Sequence, residues 1–211
     1  MIVVHHLNQS RSQRILWLLE ELGLPYEVKA VNLSANEQKT PDYLKINPNG
    51  RIPTIIDHDN GDFAVFESGA ILIYLADKSG AFLPKEGPGR YRTIQWLMFQ
   101  TGGVGPMFGQ VGFFNKFAGK EYEDKRPRDR YVAESKRLLG VIDRQLAEQT
   151  WIAGKDYSIA DIATFPWIKN LIGFYGAGEL VGISHFTHVQ RVLKTFLARP
   201  AVIRGLEIPK R

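Results

Sequence analysis

No cysteine occurs among the 211 residues. That excludes a disulfide scaffold, a thiolate metal site, a CxxC redox centre and a catalytic cysteine. Thiol or redox chemistry therefore needs a sulfur or electron carrier supplied by a ligand. No apolar run approaches the roughly 18 residues of a membrane-spanning helix, so none is expected. The opening MIVVHHLNQS lacks a basic stretch and a long apolar core. It does not read as a signal peptide, and a cytoplasmic location is the expectation. Apolar residues are not scarce: 44% are hydrophobic and 23% charged, a balance that excludes wholesale disorder.

The formal charge of +5 is unevenly spread. Residues 1–80 hold 7 Lys and Arg against 10 Asp and Glu, net −3. The remaining 131 hold 20 against 12, net +8. The basic residues of the second part alternate with acids, as at Lys125, Arg126, Arg128 and Arg130. That pattern reads as a solvated helix face, and no nucleic-acid partner is expected.

Hydrophobic spacing divides the chain the same way. Ile2–His6 reads as a buried strand. Ile15, Leu18, Leu19 and Leu22 follow at helical spacing, closed by Gly23 and Pro25. Tyr26–Val31 is a second strand, and a βαβ unit requires the pair to be parallel. A short segment led by Pro41, the turn Asn47-Pro48-Asn49-Gly50, runs at Ile52–Ile56 and Phe63–Phe66 around a hairpin signal, and a helix over 67–78 complete the order β-α-β-α-β-β-α. The Pro- and Gly-rich stretch 81–89 reads as a linker. Beyond it strand signals fade and helical patterns dominate at about 88–115, 124–149, 158–173 and 186–198. The expectation is an α/β, thioredoxin-like domain over 1–80 and an all-α domain over 90–211. Within the latter, Ser158-Ile159-Ala160-Asp161 has the form of a capping box. Gly102-Gly103-Val104-Gly105-Pro106 predicts a helix interruption where something packs closely.

Three stretches of the first domain can carry chemistry. Asn8-Gln9-Ser10-Arg11-Ser12 joins the first strand to the first helix. It reads either as a simple cap or as an anion-favouring site for a ligand thiolate, since thiol pKa values fall at helix N-termini and near cations. Arg51-Ile52-Pro53-Thr54 opens a strand where a thioredoxin-like order places a cis proline. Such a bond would leave the Ile52 backbone free to pair with an extended peptide. Glu67-Ser68 starts the last helix of the domain. It is either a cap or a grip for an amino-acid head group, with helix N–H groups and the Ser68 hydroxyl for the carboxylate and Glu67 for the ammonium. His5-His6, inside a strand, reads as structural. His185 and His188 lack nearby companions for a metal, and no metal is expected.

The chain resembles the cytosolic glutathione S-transferase family over nearly its whole length. The residues that carry this are SRSQRILWLLEELGLPYE (10–27), NPNGRIPTI (47–55), FESGAILIYLADK (66–78) and SIADIATFPW (158–167). QWLMFQTGGVGPMFGQ (95–110) is similar to the bacterial nu-class subgroup, related to the Ure2-like disulfide-bond oxidoreductases. The resemblance implies a homodimer with glutathione as co-substrate. It implies that Ile52, beside Pro53, pairs its backbone with the cysteinyl part, and that Glu67 and Ser68 hold the γ-glutamyl end. Gln38 and Arg51 are candidates for the ligand's carboxylates, and Arg130 falls where nu-class proteins carry an arginine near the ligand. At the thiol contact this sequence departs from the nu-class pattern of Thr and Asn around positions 9 and 11, which here are Gln9 and Arg11. Ser10 is the nearest hydroxyl and the expected thiol contact, with Asn8, Arg11 and Ser12 behind it. The expected activity is a glutathione transferase or reductase acting on a disulfide, peroxide or electrophilic carbon. The alternative is a non-catalytic binding or assembly module of the same fold.

Overall fold

Strand β1 (Ile2–His6) lies inside a four-stranded sheet of order β2-β1-β3-β4. It pairs in parallel with β2 (Tyr26–Ala30) and antiparallel with β3 (Thr54–Asp57), which pairs antiparallel with β4 (Phe63–Phe66). The computed structural model describes residues 1–8 and 10–208. They fall into two units, Met1–Leu83 together with the segment from Ala198 onward, and Pro84–Leu197.

In the first unit, α1 (Gln13–Leu22) joins the parallel strands, as the βαβ reading requires, α2 (Pro41–Ile46) precedes β3, and α3 (Ser68–Ser79) follows β4. Val4 and Ile55 of the sheet, Ile15, Leu16, Leu18 and Leu19 of α1, and Ile71, Leu72 and Leu75 of α3 are fully buried. Each such side chain contributes about 1.5–3 kcal/mol of transfer free energy. The β3–β4 connection forms where the hairpin signal stands, with Gly61 left-handed at φ 64° after a 3-10 turn over His58–Asn60.

The spacing of α1 predicts one apolar face, yet Arg14 through Leu19 are all buried. The cause is a helix that falls within the expected all-α domain: α9 (Pro200–Leu206) packs on α1 in the first unit. Gly205 lies against Trp17, where an added Cβ would collide with the indole ring. Arg199 makes a two-pronged bond with Glu21 at 2.5 and 2.8 Å, and Arg204 bonds Glu20 at 2.7 Å. These pairs tie Glu20 and Glu21, in the last turn of α1, to α9 and the residue before it.

The second unit contains α4 (Gly87–Phe99), α5 (Gly105–Lys116), α6 (Arg126–Glu148), α7 (Ile159–Ile172) and α8 (Thr187–Leu197). The expected interruption at the glycines is a π-helical turn over Gln100–Val104. Close packing does accompany it, since a Cβ on Gly105 would stand 2.9 Å from Trp167 Nε1. Helix α7 is buried nearly throughout, and the Ser158/Asp161 capping box forms at its start. None of the described helices is long and apolar enough to cross a membrane.

Candidate active site

The strand registers bring the three expected stretches to one end of the sheet. His5 of β1 stands opposite Thr54 of β3, and Thr54 opposite Phe66 of β4. The chain beyond His6, the chain before Thr54 and the chain after Phe66 therefore share that edge. There lie Asn8, Ser10, Arg11 and Ser12, then Arg51, Ile52 and Pro53, then Glu67 and Ser68.

Ser12 precedes α1, where a hydroxyl ordinarily accepts from the first-turn N–H groups. Its side chain makes no such bond. The buried Ser12 Oγ instead meets His6 Nδ1 at 2.7 Å and Ser10 Oγ at 2.5 Å. Ser12 N–H donates to Ser10 Oγ at 3.2 Å, and Leu7 N–H to Ser12 Oγ at 3.3 Å. His6 Nε2 lies 2.9 Å from Asn8 Oδ1. Ser10 is half-buried, and Asn8 and Arg11 are exposed. A continuous chain of polar groups thus runs from the loop surface to a buried imidazole. Burial lowers the His6 pKa, against the raising effect of its bonds to Asn8 and the Ile208 backbone. Arg14, buried in the first turn of α1, has its pKa pulled down to about 9 by burial and by Arg11. It remains a cation at neutral pH. Gln9 lies outside the described residues.

The second stretch is held from behind. Asn47, buried, donates through Nδ2 to the Arg51 carbonyl at 2.7 Å and to Thr54 Oγ1 at 2.9 Å. Its Oδ1 accepts from Asn49 N–H at 3.0 Å, and Tyr43 OH donates to the same Arg51 carbonyl at 2.8 Å. Ile52 and Pro53 are joined by a cis peptide bond, at the place the fold order indicates. Gly50, left-handed at φ 58°, sits against the Gln38–Lys39 turn, where a Cβ would stand 2.9 Å from the Gln38 carbonyl. This brings Gln38 and Lys39 beside Arg51. Gln38 Oε1 is buried without a protein hydrogen-bond partner among the described residues.

At the third stretch the capping reading does not hold. Glu67 occupies the position before α3 and makes no side-chain cap bond. Its backbone stands at φ 68°, ψ 117°, outside the regions an L-residue favours, at a cost of about 1–3 kcal/mol. Glu67 is exposed and Ser68 buried. Arg130 belongs to the other unit, exposed on α6 near Glu134.

The sequence reading takes His6 as structural and does not place Arg14, Lys39 or Asn47 in the site. For His6 a signal existed: a histidine at the end of a buried strand, two residues before a polar loop. For Asn47 the turn chemistry was legible, but not its bonds to the next strand. Among the described residues no group of three or more His, Asp or Glu is placed to hold a metal ion.

The family model "Glutathione S-transferase, N-terminal domain" matches residues 1–77, and "Glutathione S-transferase, C-terminal domain" matches 105–200. A disulfide-bond oxidoreductase of Escherichia coli, YghU, is 37% identical over 211 residues, covering 96% of this chain and 73% of that protein. A glutathione transferase family member from Pseudomonas fluorescens, crystallised with two glutathione bound, superposes with a TM-score of 0.95 at 63% identity, covering 99% of this chain and 93% of that one. A glutathione transferase from Pseudomonas putida, with one glutathione disulfide bound per subunit, gives a TM-score of 0.93 at 53% identity, covering 99% and 91%.

Proposed function

The chain belongs to the glutathione S-transferase family, and from that premise we propose that it activates the thiol of glutathione at Ser10 and directs it against a disulfide. Glutathione is its co-substrate. The observation that carries the reading is the Ser10 hydroxyl, half-buried at the start of α1 in a protein without cysteine. A free thiol titrates near ~8.5, and a hydroxyl donor, a helix N-terminus and nearby cations each favour the thiolate. Arg11 and Arg14 supply the cations and α1 the N-terminus. The Ile52 backbone holds the cysteinyl part, Glu67 and Ser68 the γ-glutamyl end, and Gln38 and Arg51 the carboxylates. Arg130 is included on the family resemblance alone.

The missing cysteine shapes the reaction. The glutathione thiolate attacks one sulfur of the substrate disulfide, a new sulfur–sulfur bond forms, and the other sulfur leaves as a thiolate and takes a proton. A second glutathione thiolate then attacks the mixed disulfide and releases glutathione disulfide and the second substrate thiol. Both attacking sulfurs come from glutathione, so a site for two glutathione moieties is needed. The relatives with two glutathione, or one glutathione disulfide, bound support this reading. We further propose a homodimer in the cytoplasm, as the family resemblance implies.

Calorimetry with glutathione and its disulfide, alongside turnover of a small disulfide, tests the proposal. Both ligands bind, and Ser10→Ala lowers kcat/KM by about 10²-fold, the usual effect of losing one aimed donor, with little change in Kd. Alkylation of the enzyme before the assay leaves turnover intact. Absence of binding to either ligand favours the non-catalytic module instead.

A further inference from the structure

His6 is buried at the end of β1, yet it is tied through Ser12 to the half-buried Ser10. We propose that Ser10, Ser12 and His6 form a relay that carries the thiol proton of glutathione inward to the His6 imidazole. This rests on Ser10 as the thiol contact and adds where the proton goes.

The donor and acceptor inventory sets the direction of the chain. A neutral imidazole has one N–H donor and one acceptor nitrogen. Burial keeps His6 neutral near pH 7. Nε2 faces Asn8 Oδ1, a carbonyl oxygen, so Nε2–H donates to it. The single Ser12 hydroxyl proton has two acceptors in reach, His6 Nδ1 at 2.7 Å and the Leu7 carbonyl at 3.3 Å; it goes to the nearer Nδ1, and Ser12 Oγ accepts from the Ser10 hydroxyl at 2.5 Å. With its own proton committed inward, Ser10 Oγ meets the ligand as an acceptor. It is therefore set to receive the thiol S–H, and becomes the donor to the thiolate once the proton has moved.

Transfer follows without any other reactant. The thiol proton passes to Ser10 Oγ as the Ser10 proton passes to Ser12 Oγ and the Ser12 proton to His6 Nδ1. The S–H bond breaks, an N–H bond forms, and each hydroxyl ends with one proton as it began. The products are a thiolate and an imidazolium, and every bond in the chain has reversed: Nδ1–H donates to Ser12, Ser12 to Ser10, and Ser10 to the thiolate. Burial disfavours the charged ring, and the bonds to Asn8 Oδ1 and the Ile208 backbone offset part of that cost. When the attacked disulfide releases its own thiolate, the proton returns outward by the same path. His6 acts through the two hydroxyls and is a positioning residue.

The relay also explains the uncapped start of α1, because Ser12 cannot cap the helix and close the chain to His6 at once. The test uses the full-length protein and His6→Asn. Asparagine keeps a hydrogen-bonding amide where Nδ1 stands but offers no base. The bound glutathione thiol is titrated by its thiolate absorbance, with kcat/KM for a small disulfide measured beside it. We expect the bound thiol to titrate about one unit higher and kcat/KM to fall by about 10²-fold, the scale of a lost general base, at unchanged glutathione Kd. Ser12→Ala, which cuts the chain and leaves His6, gives the same result and decides the matter if His6→Asn fails to fold. A wild-type thiol pKa and kcat/KM in a folded His6→Asn or Ser12→Ala protein overturns the relay. If Ser10→Ala is also unaffected, the assignment of Ser10 itself falls.

Discussion

Glu67 holds a backbone conformation that its own side chain does nothing to justify. It makes no cap bond and stands exposed at φ 68°. Strain of this kind persists where function requires it. We expect Glu67→Gly to hold or raise stability in urea unfolding, by up to about 1 kcal/mol once the flexibility of glycine is offset. Glutathione binding weakens in the same variant by about tenfold, because the ammonium loses a charge-assisted bond. A variant that loses stability and keeps its affinity would refute the assignment. The identity of Glu67 and its place before α3 were legible from FESGAIL. Its backbone angles were not, because nothing in the residue type favours them.

At the scale of elements, the loop from Asn47 to Thr54 depends on one buried side chain. Asn47 ties the Arg51 carbonyl, Thr54 and Asn49 together. Asn47→Ala removes three bonds and leaves Tyr43 OH as the remaining side-chain partner of the Arg51 carbonyl and Thr54, which costs about 1–3 kcal/mol. It should also weaken glutathione binding, since Ile52 follows the loosened carbonyl. Thermal unfolding and calorimetry read the two effects, and a loss of stability with unchanged affinity would separate Asn47 from the site. The strands, their parallel pair and helices α1 to α3 were readable because local periodicity and turn residues specify them. Helix α9 was readable as neither a separate helix nor part of the first unit. Its seven residues are too few for a clear period, and its role comes from Gly205 meeting Trp17 across the chain. His6 reads as merely structural for a related reason: its partners Ser10 and Ser12 come to it only when the loop turns back.

For the whole molecule, two buried carboxyls shape acid stability with opposite signs. Asp57 is pushed up by burial, but bonds from Lys78 and Tyr74 outweigh this and hold it below the usual range. Its contribution is present above about pH 4, the unfolded value, and is lost as pH falls further. Asp161 in the capping box is raised by burial to about 6, against bonds from the Ile152 N–H and from Ser158. Its contribution is full below about pH 4 and is lost as pH rises through the folded value. Urea unfolding between those limits should show a slope that Asp161→Asn flattens, and a slope unchanged in that variant would contradict the assignment. The absent cysteine is the other property of the whole chain, and it makes glutathione the source of every reactive sulfur. The central claim, that the site activates this sulfur at Ser10, is tested most directly by titrating the thiol of bound glutathione in the wild-type protein and in Ser10→Ala. We expect a wild-type pKa well below the free value of about 8.5, and a rise of about one unit in the variant with little change in Kd. An unperturbed thiol in the wild type, or the same pKa in both proteins, would contradict it.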